Sequence, residues 1–256
     1  MKLLFVGDVC GAAGLRAAVR YIRERRDDFD AVVVNGENVT NGRGLSRKHF
    51  GALLDAGADV VTLGNHSFDQ RETLDYIEEA PRLLRPLNMP RGVPGLGVRT
   101  VDLPSGGRLT VMQLMGRVFM EAIDDPFRVA DEALDSLPAD VPVLVDMHAE
   151  ATSEKKVMGW HLRGRVVAVL GTHTHVQTAD ERIDQGTAYL TDVGMTGVED
   201  SAIGVEFPEV HHRFTQQTPK RYRPAEGRAM VQAAELTVDG VKATSIERVR
   251  WLEPQP

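Results

Sequence analysis

At 256 residues, 42% hydrophobic and 26% charged, the chain has the composition of a globular enzyme and the length of one large domain or two small ones. A formal charge of −7 excludes a broad nucleic-acid-coating surface, which needs clustered Lys and Arg. It leaves room for a small phosphate-bearing ligand held by metal. Cys10 is the single cysteine, so no intramolecular disulfide forms. The apolar start is cut short by Asp8, too early for a signal peptide, and no run reaches membrane-spanning length; a cytoplasmic location is the expectation.

Residues 2–7 predict a short strand that delivers Asp8 at its C-terminal end. Gly11 and Gly14 then break the chain, and Leu15, Ala18, Val19 and Ile22 recur at helical spacing. Ala31–Val34 is a second buried strand, followed at once by Asn35-Gly36-Glu37-Asn38. Ser46 is placed to cap a helix with the stripe Phe50, Leu53, Leu54 and the stop Gly57. Asp59–Leu63 is a third strand, running into Gly64-Asn65-His66. Asp69 and Glu72 have capping-box spacing for a helix to about Glu79.

Prolines 81, 86, 90 and 94 make residues 81–97 irregular. Val98–Leu103 and Leu109–Met115 predict a hairpin about Pro104-Ser105-Gly106-Gly107. A helix near Pro126–Leu137 precedes the strand Val143–Met147, which finishes in His148; residues 152–162 are helical. The apolar run Arg165–Leu170 is a strand leading into Gly171-Thr172-His173-Thr174-His175. Thr187–Thr191 is another strand, and residues 194–226 receive no regular structure. Ala229–Val238 and Val241–Trp251 close the chain as a hairpin. The β-α alternation of the first half predicts a parallel-type sheet, and hairpins dominate the second. Two packed sheets flanked by helices in one domain, residues 1–256, is the economical reading.

Five strand ends now carry Asp8, Glu37-Asn38, Asn65-His66, His148 and His173/His175. Ligands of α/β sheets gather outside the carboxyl ends of strands. Side chains two apart in extended backbone point the same way, so His173 and His175 are expected to reach one cavity, where two imidazoles suit a transition metal. Singly, each residue has a plainer reading. Asp8 and Asn38 could cap the helix or turn after each, Asn65 could hold a left-handed turn, and His66 or His148 could be a satisfied surface histidine. Jointly, those readings need five coincidences at equivalent positions.

Gly7-Asp8, Gly64-Asn65-His66 and Gly171-Thr172-His173-Thr174-His175 resemble the spaced blocks of the calcineurin-like dinuclear metallophosphoesterases. Asn35-Gly36-Glu37-Asn38, His148 to Lys155 and Asp192-Val193-Gly194-Met195-Thr196-Gly197 are similar to the YmdB-type bacterial phosphodiesterases. The chain departs from the wider superfamily in having Cys10 where a histidine is usual and Glu37 where the bridging carboxylate is usually Asp. The YmdB-type branch shares the Glu-Asn pair.

The resemblance implies a four-layer αββα sandwich of mixed α/β class. It also implies that Asp8, Asn38 and His175 hold one metal, that Asn65, His148 and His173 hold another, and that Glu37 bridges them. Mixed N/O ligation fits iron or manganese, with zinc an alternative. His66, beside a ligand, is expected to protonate the leaving oxygen as a bridging hydroxide attacks phosphorus. The implied substrates are small phosphodiesters, 2′,3′-cyclic nucleotides first and 3′,5′-cyclic nucleotides second. The implied partners are that substrate and further copies of the chain, with no membrane and no extended nucleic-acid surface. Rival readings are a phosphomonoesterase or nucleotidase with the same site, a regulatory metal- or RNA-binding protein with incidental catalysis, and metal-assisted amide hydrolysis.

Outside this set, Cys10 is either a thiolate ligand or a small buried hydrophobe. Glu150 and Asp192 could accept imidazole N–H groups or be ordinary turn carboxylates. His211-His212 with Lys220, Arg221 and Arg223 is either a solvated loop or a lid or subunit contact. His49 and His161 are read as surface residues.

Overall fold

Alternation along the first strand, β1 (Lys2–Val6), sorts the molecule into layers. Leu4 and Val6 face one apolar cluster and Leu3 and Phe5 another. The computed structural model describes residues 1–254. After β1 come β2 (Asp8–Val9), α1 (Gly11–Arg25), β3 (Ala31–Asn35), α2 (Arg47–Ala56), β4 (Val60–Thr62), α3 (Thr73–Tyr76) and β5 (Leu83–Leu84). Then follow β6 (Val98–Leu103), β7 (Gly107–Met115), α4 (Pro126–Leu134), β8 (Val143–His148), α5 (Thr152–Leu162) and β9 (Ala168–Thr172). The chain ends with β10 (Arg182–Asp184), β11 (Thr187–Leu190), β12 (Met195–Val198), α6 (Phe207–Gln216), β13 (Ala229–Asp239) and β14 (Lys242–Leu252).

One sheet runs β2-β12-β13-β1-β3-β4-β5 with β14 on β13, and the other runs β10-β11-β9-β8-β7-β6. Three apolar clusters separate four layers. The first joins Leu4, Val6, Val32 and Val34 to Ala17, Ala18 and Ile22 of α1 and Leu53 of α2. The second, between the sheets, joins Leu3, Phe5 and Val33 to Val111, Leu144, Leu170 and Leu190. The third joins Leu114, Val145, Met147 and Val169 to Met158 and Leu162 of α5 and Ala130 of α4. This is the αββα sandwich expected. Among the described residues no helix is long and apolar enough to cross a membrane.

Several local expectations need correction. The second half is not mainly hairpins, because in the second sheet β7, β8, β9 and β11 pair in parallel and only its edge strands β6 and β10 are antiparallel. The closing β13–β14 hairpin joins the first sheet, where β13 is antiparallel to β1 and β12. Residues 194–226 contain β12 and α6. Phe207, Val210 and Phe214 of α6 recur at helical spacing, yet the two phenylalanines lie outward, 64% and 75% exposed. The strand before the two histidines starts at Ala168 and extends through Thr172, rather than spanning 165–170. Asp69 and Glu72 make no capping box: Asp69 bonds His66 instead, and α3 is a four-residue helix with no side-chain cap. Ser46 does cap α2, its Oγ accepting from the His49 N–H at 3.3 Å, and Gly57 ends it at φ 116°.

Two features position the end of β9. A Cβ on Gly171 would lie 1.8 Å from the Thr191 carbonyl oxygen, so only glycine lets β9 pass the chain leaving β11. Beneath the turn after β9, the buried Lys155 ammonium of α5 donates to Asp192 Oδ2 at 2.8 Å and to Thr174 Oγ1 at 3.0 Å. Asp192 also accepts from the Thr174 N–H and Oγ1–H and from the Gly194 N–H. This clamp ties α5 to the turn between His173 and His175. Removing one partner of a buried ion pair leaves an uncompensated charge. Lys155→Met is therefore expected to lower unfolding stability by about 3 kcal/mol, measured by urea denaturation of the native and variant chains.

Candidate metal centre

The strand ends meet on one side of the molecule. Asp8 opens β2, whose pairing to β12 sets Met195 opposite it. Glu37 and Asn38 follow β3, and Asn65 and His66 lie beyond β4. His148 ends β8, and His173 and His175 follow β9. The first five residues come from one sheet's edge and the last three from the other's, so the site spans the sheet interface. All but Asp8, Asn65 and His148 line a cavity of about 870 Å³.

One group of donors is tight. His148 Nε2 is 3.0 Å from Glu37 Oε1, 3.0 Å from Asn65 Oδ1 and 3.1 Å from His173 Nδ1. Ligand atoms of Glu37, His148 and His173 lie within 4.8 Å of one another, a set able to hold a metal ion. A side chain on Gly64 would fill this cluster, its Cβ falling 2.3 Å from Glu37 Oε2 and from His148 Nε2.

The tautomer of His148 is set from behind. Asp146, two residues earlier and thus on the same face of β8, accepts from Thr62 and Thr172 hydroxyls at 2.6 Å each and from Asn35 Nδ2 at 3.0 Å. With its hydrogen on Asp146, Thr172 Oγ1 accepts from His148 Nδ1–H at 2.9 Å. Nε2 is thereby turned into the cluster. Burial pushes the Asp146 carboxyl up to about 7, against the pull of His148 and the two threonines.

A second group is looser. Asp8 Oδ1 is 3.9 Å from His175 Nε2, and also 3.9 Å from His148 Nδ1. His175 Nδ1 donates to the Ile203 carbonyl at 2.9 Å, which leaves Nε2 as an acceptor. Asn38 spends its Nδ2–H on the Gly42 carbonyl, at 3.3 Å. Among the described residues, Asp8 Oδ1 and Asn38 Oδ1 are buried with no hydrogen-bond partner. Buried oxygens without partners are rare and costly.

The electrostatics follow from burial among carboxylates. Burial raises the Asp8 carboxyl, with His175 and His148 opposing it. Burial would also raise Glu37, but the neighbouring His148 wins and holds it at about 2. Burial would lower His148, but Glu37, Asp8 and Asp146 draw it up to about 9. His173 falls to about 3, through its own burial and the charge of His148. The two touching imidazoles, His148 and His173, are thus shifted in opposite directions.

The extended-backbone argument for the histidine pair fails. Both lie past the end of β9 with positive φ, 92° at His173 and 63° at His175, a region uncommon outside glycine. The turn, pinned by Lys155 and Asp192 and by the His173 N–H on Asp8 Oδ2 at 3.2 Å, brings them to the site instead. Glu150 Oε2 lies 3.2 Å from His173 Nε2, the imidazole contact expected of it. Asp192 bonds no imidazole, because Lys155 and Thr174 occupy it.

His66 is at the cavity without joining the tight cluster. Its Nδ1 is 2.9 Å from Asp69 Oδ2, its Nε2 is 3.2 Å from Asn65 Nδ2, and its backbone N–H donates to Glu37 Oε2 at 3.2 Å. Cys10 is buried, its thiol turned to the Gly204 carbonyl at 3.8 Å. Burial and the charges of Asp8 and Glu37 push that thiol up to about 12. His49 bonds the Thr40 hydroxyl and His161 bonds Asp131, both away from the site. His211 stacks on Phe207 and His212 bonds Thr218, while Lys220, Arg221 and Arg223 reach the cavity mouth.

Sequence reasoning missed Asp69, Asp146, Lys155 and the Ile203 carbonyl. Asp69 stands three residues beyond His66, and Asp146 is a charge inside an apolar strand two residues before His148, so both had a local signal. Lys155 lay inside the matching His148–Lys155 block with no role assigned to it, and Ile203 had no signal, since each acts across the fold.

The model of the YmdB-like protein family matches residues 4–249. The 2′,3′-cyclic-nucleotide 2′-phosphodiesterase of Bacillus subtilis (strain 168) is 42% identical over 255 residues, covering 97% of this chain and 96% of that protein. A crystal structure of a hypothetical protein from Thermus thermophilus is similar with a TM-score of 0.95 and 45% identity, covering 99% and 100% of the two chains. A crystal structure of a novel phosphatase of Mycoplasma pneumoniae gives 0.92 and 33%, covering 100% of this chain and 95% of that one. Agreement over essentially the whole length, in sequence and in backbone, places this chain in the YmdB-like family of calcineurin-type metallophosphoesterases.

Proposed function

We propose that this chain is a phosphodiesterase that hydrolyses small phosphodiesters, cyclic nucleotides among them, with two metal ions. The observation that carries the reading is that the same strand ends hold a tight set of donors around His148 and, beside it, a looser set around Asp8. Glu37, Asn65, His148 and His173 form the tight group. Asp8 and Asn38, each with a buried oxygen lacking a partner, join the outward-facing Nε2 of His175 in the other. These donors fit divalent cations. They are oxygens and imidazole nitrogens: Asn38 and His175 turn their hydrogens away to Gly42 and Ile203, and a metal would replace the proton that His148 shares with Glu37. Nitrogen and oxygen donors without thiolate suit iron or manganese, or zinc.

Two metals, when bound, lower the pKa of water and offset the negative charge of a phosphoryl group. The remaining work falls to the chain. Asp8 and Glu37 return only two of four positive charges, so the site favours an anionic diester despite the acidic protein around it. Asp69 orients His66 through Nδ1, and His66 Nε2 is the atom that would hold and deliver a proton to the leaving oxygen. The 2′,3′-cyclic-nucleotide activity named for the Bacillus subtilis relative supports cyclic nucleotides as the substrate class.

Activity on bis-p-nitrophenyl phosphate is expected to vanish on chelation and to return with manganese or iron, with two metal equivalents per chain by elemental analysis. One equivalent at full activity, or a large preference for p-nitrophenyl phosphate, would replace this reading with a mononuclear or a monoester hydrolase. His66→Ala should keep its metal and lose about 10²–10⁴-fold in kcat. Undiminished turnover would remove His66 from the proton transfer. Gly64→Ala should instead lose metal, because the added methyl occupies the donor cluster; elemental analysis of the folded variant decides it.

A further inference from the structure

The cavity is larger and more cationic than a metal pair with one phosphate requires. Beyond the donors, its mouth is formed by Arg43 from the loop after β3 and by Arg213, Lys220, Arg221 and Tyr222 from α6 and the segment after it. Among the described residues none of these four cations is paired with a carboxylate, whereas the neighbouring Arg223 is held by Glu209. Of the two carboxylates lining the same cavity, Glu37 contacts His148 and Glu150 contacts His173, and neither pairs with these cations. In a chain of net charge −7, four unanswered cations around one opening form a local field that focuses anions. Tyr222, 40% exposed among them, offers an aromatic face on which a base can stack.

We propose that this rim is a second anion subsite, which binds a phosphate of the substrate other than the one being hydrolysed. The substrates it fits are nucleotides bearing a 2′,3′-cyclic phosphate and a further phosphate on the 5′ side. That further group is either a terminal 5′-phosphate or the internucleotide phosphate of a short oligonucleotide. The inference rests on the phosphodiesterase reading above and names the substrate class of that same site. Arg43 and the segment 213–221 belong to separate stretches of the chain that share this opening, so the second phosphate is held between two loops while the scissile one lies at the donors. The guanidinium and ammonium groups form charge-assisted hydrogen bonds, about twice as strong as neutral ones.

The test compares kcat/KM on four substrates: bis-p-nitrophenyl phosphate, a 2′,3′-cyclic mononucleotide, its 5′-phosphorylated form, and a dinucleotide ending in a 2′,3′-cyclic phosphate. The added phosphate is expected to raise kcat/KM about tenfold or more, chiefly through KM, and the advantage should shrink as salt is added. Whichever of the last two substrates gains more identifies the source of the second phosphate. In Arg213→Gln/Lys220→Gln/Arg221→Gln, the ratio of kcat/KM with and without the added phosphate should fall toward one. Native turnover of all four substrates with no such advantage, or an advantage that survives the triple substitution, overturns the subsite alone. Failure to turn over any of them with metal supplied overturns the hydrolase reading and this one with it.

Discussion

Three carboxylates, Asp8, Glu37 and Asp146, are buried within a few side chains of one another under the cavity floor. Ionised groups in that position are expensive unless something positive answers them. Within the chain, His148 answers them: its imidazole is drawn up to about 9 while the neighbouring His173 falls to about 3. Everything around the floor serves this imbalance. Thr172 and Asp146 fix which nitrogen of His148 faces inward, the Ile203 carbonyl does so for His175, and the Lys155–Asp192 pair neutralises the one nearby acid that is not needed. The result is a concentrated demand for cations at a single place, with donors already oriented.

Much of this was legible in the primary structure because strands obey period two. Asp8, Glu37-Asn38, Asn65-His66 and His148 each directly follow or end an apolar run, so their convergence followed from the sheet alone. The layering was legible for the same reason, since β1 and β3 alternate between two apolar clusters. What was hidden depends on backbone conformations that residue type does not announce. Positive φ at His173 and His175 is imposed by the clamp beneath them and by Asp8, not by local preference. Asp69 looked like a helix cap because a carboxylate three residues before an acid satisfies that pattern, yet the imidazole three residues before it was the better partner. The helix α6 escaped notice because its short apolar period, Phe207, Val210 and Phe214, sits within a long segment rich in Gly, Pro and charge.

Net charge proved a poor guide to the cavity mouth. An overall value of −7 argues against a coating surface and still permits a ring of arginines and a lysine on one opening. Exposed ion pairs such as Arg128–Glu132 and Arg47–Glu79 cancel in that count and contribute little to stability. Charge counted over a whole chain averages away the one region where an anionic ligand would feel it.

The strand β13 lies beside β1, with Ala233 to Thr237 aligned on Val6 to Lys2, while its earlier residues hold β12 and, through it, Asp8. The first acidic donor is thus locked in place by the last hairpin of the chain. Contacts of such long sequence separation form late, because closing the intervening loop costs entropy first. The helices and inner strands can therefore form before Asp8 is held, and this side of the first sheet is completed only when the β13–β14 hairpin docks.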